Sequence, residues 1–394
     1  MLMKSSFGKN LKISIWGGSH EPAIGVDIEG LPIGTEIDMK RLRDFLARRA
    51  PGSTPFGTKR KEPDIPEPVS GLKAKDADDA ALKGALPKEE VPDGADRNGE
   101  APEIMLVSED RISLEIRNTD TRSGDYKALR TVPRPGHADY TARLRYGDDL
   151  NMAGGGPFSA RMTAPLCIAG GIALQMLEKQ GITTGAHIYS IGDVSDIPLD
   201  PVNIPVGTLN RLTTMDFPVL DEAAGEKMKE VIMEARNQLD SVGGIIEGCV
   251  VGLPGGIGGA MYDGLESALA PIFFGIPAVK GVEFGAGFSA AAMRGSEHND
   301  PFYYDGDTVK TVTNNHGGIL GGITTGMPLT VRLAFKPTSS ISRKQKSVDL
   351  EKKENTELVV KGRHDPCVVV RAVPIVEAAL ALGILDCIME VNND

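Results

Sequence analysis

The sequence predicts an α+β fold built in layers, and three observations predict it. Strand-like and helix-like stretches mix along the chain without the regular strand–helix–strand rhythm of a doubly wound parallel sheet. Apolar runs at 162–177 and 373–390 read as buried helices. Alternating stretches such as "KISIW", "RISLEIRNTD" and "GIIEGCVVGLPGG" read as strands.

Taken in order, residues 12–38 give strands and turns: "KISIW", a glycine turn, then "AIGVDIEGLPIG" closing in a Gly-Leu-Pro turn. Met39–Arg49 has helical spacing, with Leu42, Phe45 and Leu46 on one face and Lys40, Arg41, Arg43, Arg48 and Arg49 on the other. Residues 73–102 have no aromatic residue, few large apolar ones and many charges, so they read as a solvated, partly disordered insertion. A loop "AGGGPF" leads into the apolar helix at 159–179, and an amphipathic helix follows at 221–239. The "VVGLPGG" after the next strand echoes "DIEGLPIG" and hints at an internal duplication. The last apolar helix runs from about Val373 to Glu390.

Length alone, 394 residues, suggests about two or three domains. A formal net charge of −11 argues against non-specific nucleic-acid binding as the main activity, although a local cluster of arginines can still dominate one cleft. The N-terminus has early lysines but no continuous apolar stretch, so it is not a signal peptide. The 162–177 run, broken by Thr163, Pro165, two glycines and Gln175, is shorter than the ~20 residues a membrane span needs. Cys167, Cys249, Cys367 and Cys387 are widely separated and form no CxxC pair, so they read as small buried hydrophobes in a reducing cytoplasm.

Four motifs carry candidate chemistry. In "RPGHADY", prolines hold the backbone extended and Gly136 permits a sharp turn before His137, with Arg134 three residues away to share an anionic ligand, or else the stretch is a surface loop with an idle histidine. In "WGGSHEPAIG", His20 sits on a loop beside Glu21; Pro22 and the absence of histidine at 24 exclude a zinc-protease helix, leaving a general-acid or a merely structural histidine. "GGGPFSARMT" offers glycines, a hydroxyl and Arg161 at a helix start, suited to a phosphate or flavin dipole or else to close helix packing. "KGRHDPC" places Arg363, His364 and Asp365 side by side, and three such groups cannot all enter a core. "GAGFSA" formally matches a dinucleotide fingerprint but lacks the long helix that must follow, so dinucleotide binding by that route is rejected. His187 and His298 lie in unremarkable polar settings, and His316 reads as a turn residue.

Together, "GGSHEPAIGVDIEGLPIG", "RRAPG", "RNTDTRSGDY", "RPGHADYT", "GGGPFSARMTA", "GIPAVKGVEFGAGF", "NNHGGILGGITTGMP", "KPTSSI" and "GRHDPCVVVRAVPIVEA" resemble the chorismate synthase family over nearly the whole chain. The resemblance implies a single domain over 1–394 with the 73–102 insertion, folded as a β-α-β sandwich with central helices between antiparallel sheets. It implies a lyase that converts 5-enolpyruvylshikimate 3-phosphate to chorismate and phosphate by an anti 1,4-elimination requiring reduced FMN. By position, His20 matches the histidine that protonates the departing phosphate and His137 the one that protonates the reduced flavin. Asp365 matches the carboxylate that assists removal of the C6 hydrogen. Arg48, Arg60, Arg134, Arg161 and Arg363 match substrate-clamping positions. Ser159, Ala160, Ala278, Lys336 and Ser340 match flavin contacts. No metal is implied. NADP, a homotetramer and a cytoplasmic location follow from the same resemblance, with no membrane or nucleic-acid partner, and the flavin is expected to be reduced externally.

The chain departs from the family pattern at Glu21, where the commonest motif has glycine, at Ala50 after two arginines, and at Ala153, Pro157 and Met162, where Arg, Arg and Glu are usual. The glycine/threonine turn expected after "SGL" is replaced by the acidic insertion. Two alternatives therefore stand beside the lyase: a non-catalytic flavin- or anion-binding paralogue, and a flavin-dependent lyase acting on a related phosphorylated ring.

Overall fold

The two apolar runs form the helices Thr163–Glu178 and Val369–Val391, which pack on one another at the centre of the molecule. The structure is a computed structural model that describes residues 5–52, 56–57, 62–75, 103–119, 131–147, 149–360, 362 and 364–391. Both helices are apolar on nearly every side because each meets a sheet on one face and its partner helix on another. With the turn that precedes the first, the stretches Ala160–Glu178 and Val369–Val391 are long and apolar enough to cross a membrane, but most of each is buried inside the fold. Gly170 sets their separation: a Cβ there would lie 2.3 Å from the Ala378 Cβ.

The first sheet orders its strands Ser5–Phe7, Lys12–Gly17, Ala23–Glu29, Arg111–Arg117 and Glu67–Ser70, all antiparallel. Its central strand sets Val26 opposite both Ile15 and Leu114, and the Thr163–Glu178 helix covers it. The second sheet runs Val194–Ser195, Thr183–Ile191, Gly244–Val251, Leu329–Phe335 and Val279–Phe284, again antiparallel, and carries the Val369–Val391 helix. The helix Met39–Arg49, capped by the Asp38 side chain accepting from the Arg41 amide at 2.9 Å, packs against both central helices. This is the sheet–helix–sheet sandwich expected, and one continuous core of Ile, Leu, Val and Ala fills it.

Boundaries shift where local chemistry decides them. The final helix begins at Val369, four residues before the expected start, and continues through Pro374, which has no amide hydrogen to give to the Val370 carbonyl. Lys73 and Ala74 belong to the strand Leu72–Ala74, paired with Met105–Val107; residues 76–102 of the expected insertion lie outside the described residues. All four cysteines are buried and free. His187 corrects the sequence reading. It is fully buried, with Nδ1 3.0 Å from Asp196 and Nε2 3.0 Å from Glu247, its direct cross-strand partner. Strand register, invisible in the local sequence, makes that contact.

Candidate active site

The "RPGHADY" turn delivers its side chains as a unit. Gly136 turns with φ +73°, and Asp139 opens the short helix Asp139–Tyr146. The Asp139 carboxylate then gathers the turn's donors. Its Oδ2 accepts from the Arg134 amide at 2.9 Å and from Nε at 2.7 Å, while Oδ1 accepts from Arg134 Nη2 at 2.7 Å and from His137 Nδ1 at 2.8 Å. Arg134 Nη2 and His137 Nδ1 approach to 3.1 Å because both aim at the same oxygen. Burial alone would raise the Asp139 carboxyl, but the hydrogen bonds from Arg134 and His137 outweigh it and hold the group well below the usual carboxylate range. With Nδ1–H committed to Asp139, His137 presents Nε2 to the glycine loop, where a Cβ on Gly155 would come within 3.2 Å.

Two further loops close around this turn. Lys336 Nζ donates to Ser339 Oγ at 2.6 Å, Ser339 Oγ donates to the Gly136 carbonyl at 2.7 Å, and Arg134 Nη1 donates to Ser340 Oγ at 3.0 Å. The Lys336 amide donates to the carbonyl of Ala278, which sits at φ +78°, a strained position for alanine of the kind that clusters at functional sites. The loops enclose a cavity of about 320 Å³, within the range of small-molecule sites. Arg134, His137, Ser159, Ala160, Ala278, Lys336, Ser340 and Asp365 all line it, drawn from five separated stretches of sequence. An adjoining cleft of about 510 Å³, walled by Phe7, Ile13, Ile15, Leu166 and Phe274, shares Phe158, Ala278 and Lys336 with it.

His20 sits behind the cavity-lining Gly154, which has φ +63°; a Cβ on that residue would fall 2.1 Å from the imidazole. Its Nδ1 lies 3.3 Å from Ser19 Oγ. Asp365 takes a hydrogen bond from Arg371 at 3.0 Å at the base of the final helix. Burial, and then the neighbouring Lys280 ammonium, push the Lys336 amine below the ordinary lysine value. Burial and the Arg134 charge likewise push His364 down, against an opposing pull from Asp365.

The expected arginine clamp is only partly assembled at this cavity. Arg48 forms a bidentate pair with Glu377, at 2.6 and 3.0 Å, and faces a different groove beside Met215 and Pro374. Arg161 is buried against Asp64, Glu62 and Asn118, next to the fully buried Arg49, whose Nη2 lies 2.6 Å from Asp64. Burial lowers Arg49 to about 10, so it remains charged at neutral pH. Arg60 and Arg363 lie outside the described residues. Sequence reasoning passed over Asp139, Asp64, Glu62, Arg371, Thr338 and Ser339. For Asp139 a signal existed, an acid two residues past a histidine on a rigid turn; for Asp64 and Arg371 none did.

The fold and site define a sandwich enzyme with a cationic cavity laced from loops of both halves of the chain. The family sequence profile described as chorismate synthase matches residues 11–87 and 109–389. A chorismate synthase of Lancefieldella parvula is 43% identical over 98% of this chain and 96% of its own. One of Thermococcus gammatolerans is 42% identical over 96% of both chains, and one of Korarchaeum cryptofilum is 40% identical over 97% of both. A solved structure titled "Crystal Structure of Chorismate Synthase" shares the fold with a TM-score of 0.70 at 23% identity, covering 98% of this chain and 93% of that one. The chain belongs to the chorismate synthase family.

Proposed function

We propose that the protein eliminates phosphate from 5-enolpyruvylshikimate 3-phosphate in the anti 1,4 sense to yield chorismate, with reduced FMN as cofactor. One convergence carries the reading. His137 and Asp365, with His20 one glycine behind, meet Ser159, Ala160, Ala278, Lys336 and Ser340 around a single cavity, although the sequence separates them by more than 300 positions. Of the two alternatives, the non-catalytic paralogue fits this convergence poorly, because a binder has no need of three proton-handling groups in one place.

The residues present suit a flavin. Thr338 Oγ1 is buried on the cavity wall with no hydrogen-bond partner among the described residues, Lys336 supplies a cation, and Gly154 and Ala160 add no bulky side chain to the wall. Ser159, Ala160, Ala278, Lys336 and Ser340 would hold it, and reduced FMN, when bound, would supply a transient electron for the elimination. The chain's own residues do the rest. His137, oriented by Asp139, holds a proton at Nε2. In this reading His20 protonates the leaving phosphate and Asp365 assists loss of the C6 proton. Ile276, Phe335, Val368 and Ile375 exclude water, which strengthens each charged contact.

In this reading Arg134 meets the substrate's anionic groups, and Arg60 and Arg363, outside the described residues, are expected to join it. Arg48 and Arg161 act at one remove, through Glu377 and Asp64, by fixing the helix and loop behind the cavity. We infer a cytoplasmic homotetramer, with the flavin reduced by a separate NADPH-dependent donor; the free buried cysteines suit a reducing compartment. The test is an anaerobic assay with chemically reduced FMN and 5-enolpyruvylshikimate 3-phosphate. Chorismate should accumulate with stoichiometric phosphate. Tight binding of both ligands without chorismate would instead identify a non-catalytic binder.

A further inference from the structure

We propose that His364 takes up a proton when the phosphorylated substrate enters the cavity and, as an imidazolium, hydrogen-bonds it, making His364 a further catalytic residue of the site. The inference rests on the function proposed above.

The geometry is the first support. His364 lines the cavity, its ring lying against Gly362, where a Cβ would come within 3.0 Å of Nε2. His137 gives its Nδ1 to Asp139, and His20 has Ser19 beside it. No hydrogen bond or ion pair joins the His364 ring to any other described residue, so its nitrogens are available to a ligand.

The surrounding charges are the second support. From its own loop His364 faces Asp365, which is tied to Arg371 on the final helix. From the turn the Arg134 charge acts on it, and His137 lines the same cavity; both of these donate to Asp139. Lys336, at the neighbouring strand end, lines the same cavity. With both carboxylates already engaged by arginines, the cavity presents surplus positive charge. Burial first, and Arg134 second, push the imidazole below the ordinary histidine value, against the pull of Asp365. A bound phosphate carries roughly two negative charges. An opposite charge within hydrogen-bonding range raises such a group by about 1–3 pH units, against the lowering by burial and Arg134. The proton comes from bulk water and returns there when phosphate leaves, so the cycle balances without another reactant.

Two measurements test this. The first is calorimetric titration of 5-enolpyruvylshikimate 3-phosphate into the full-length protein carrying oxidised FMN, at pH 7.5 in buffers of different ionisation enthalpy. Wild type should take up on the order of one proton per site, and His364→Asn should lose most of that uptake while still binding. Equal uptake by the variant overturns the proposal and leaves the enzyme assignment standing. The second measurement does not depend on that assignment. The chain has six histidines, so the His364 Cε1–H resonance can be assigned as the one missing from His364→Asn. In ligand-free protein it should titrate below the ordinary histidine value, and inorganic phosphate should move its midpoint upward. A midpoint that is ordinary at the start, or unmoved by phosphate, refutes the proposal even if the substrate itself fails to bind.

Discussion

Replacing Asp139 by Asn tests the organisation of the site most severely. The wild-type carboxylate accepts four hydrogen bonds, three from Arg134 and one from His137, with the Arg134 and Asp139 side chains only 4% and 5% exposed. Asparagine keeps the shape but removes the charge, and its amide nitrogen must face a donor. The buried guanidinium then loses its counter-charge, which costs about 3–5 kcal/mol when one partner of a buried pair is deleted. The Nδ1–H anchor of His137 weakens as well, so turnover should fall by roughly 10²–10⁴-fold, the worth of a positioned acid–base group. Denaturant unfolding of Asp139→Asn, Arg134→Met and the double variant gives the coupling. The double variant should be less destabilised than the two single losses added together, because it removes both charges. Strict additivity would refute the buried-pair reading. The pH dependence has a definite sign. The folded Asp139 carboxyl is depressed below its unfolded value of about 3.9, so its contribution is complete above that value and disappears only as pH falls through the folded one.

Three further outcomes are expected. His20→Ala and His137→Ala should each lose roughly 10²–10⁴ in rate with little change in melting temperature, and wild-type turnover in either would remove it from the mechanism. Lys336→Met should weaken FMN binding about tenfold or more, the effect of losing a charge-assisted contact of ~1.5–3 kcal/mol; a fluorescence titration reads this directly, and an unchanged affinity would move the flavin elsewhere. His187 adds a stability signature. Burial pulls it down, but hydrogen bonds to Asp196 and Glu247 prevail and raise it, so its contribution is complete below the unfolded value of ~6.5 and is lost as pH rises through the folded one. Wild type should therefore lose stability on the alkaline side relative to His187→Gln, and parallel stability curves for the two proteins would show that His187 is not charged in the folded state.

What the sequence by itself determined was local. Periodicity located the central helices and the main strands, because apolar spacing reports which faces must be buried. Rigid-turn motifs singled out His20, His137 and Asp365, because proline and glycine around a titratable group are written in adjacent letters. The tertiary structure decided which charges meet. A guanidinium follows the strongest carboxylate within reach, and that carboxylate can lie hundreds of residues away: Arg48 turns to Glu377, Arg161 to Asp64, and His187 to the residue that register sets opposite it. Cavity membership is likewise a property of how loops pack, so Thr338 and Arg371 became visible only when the final helix and the 336–340 loop closed on the His137 turn. Charge pairing and enclosure depend on distances through space, and those exist only once the two sheets have closed on the helices between them.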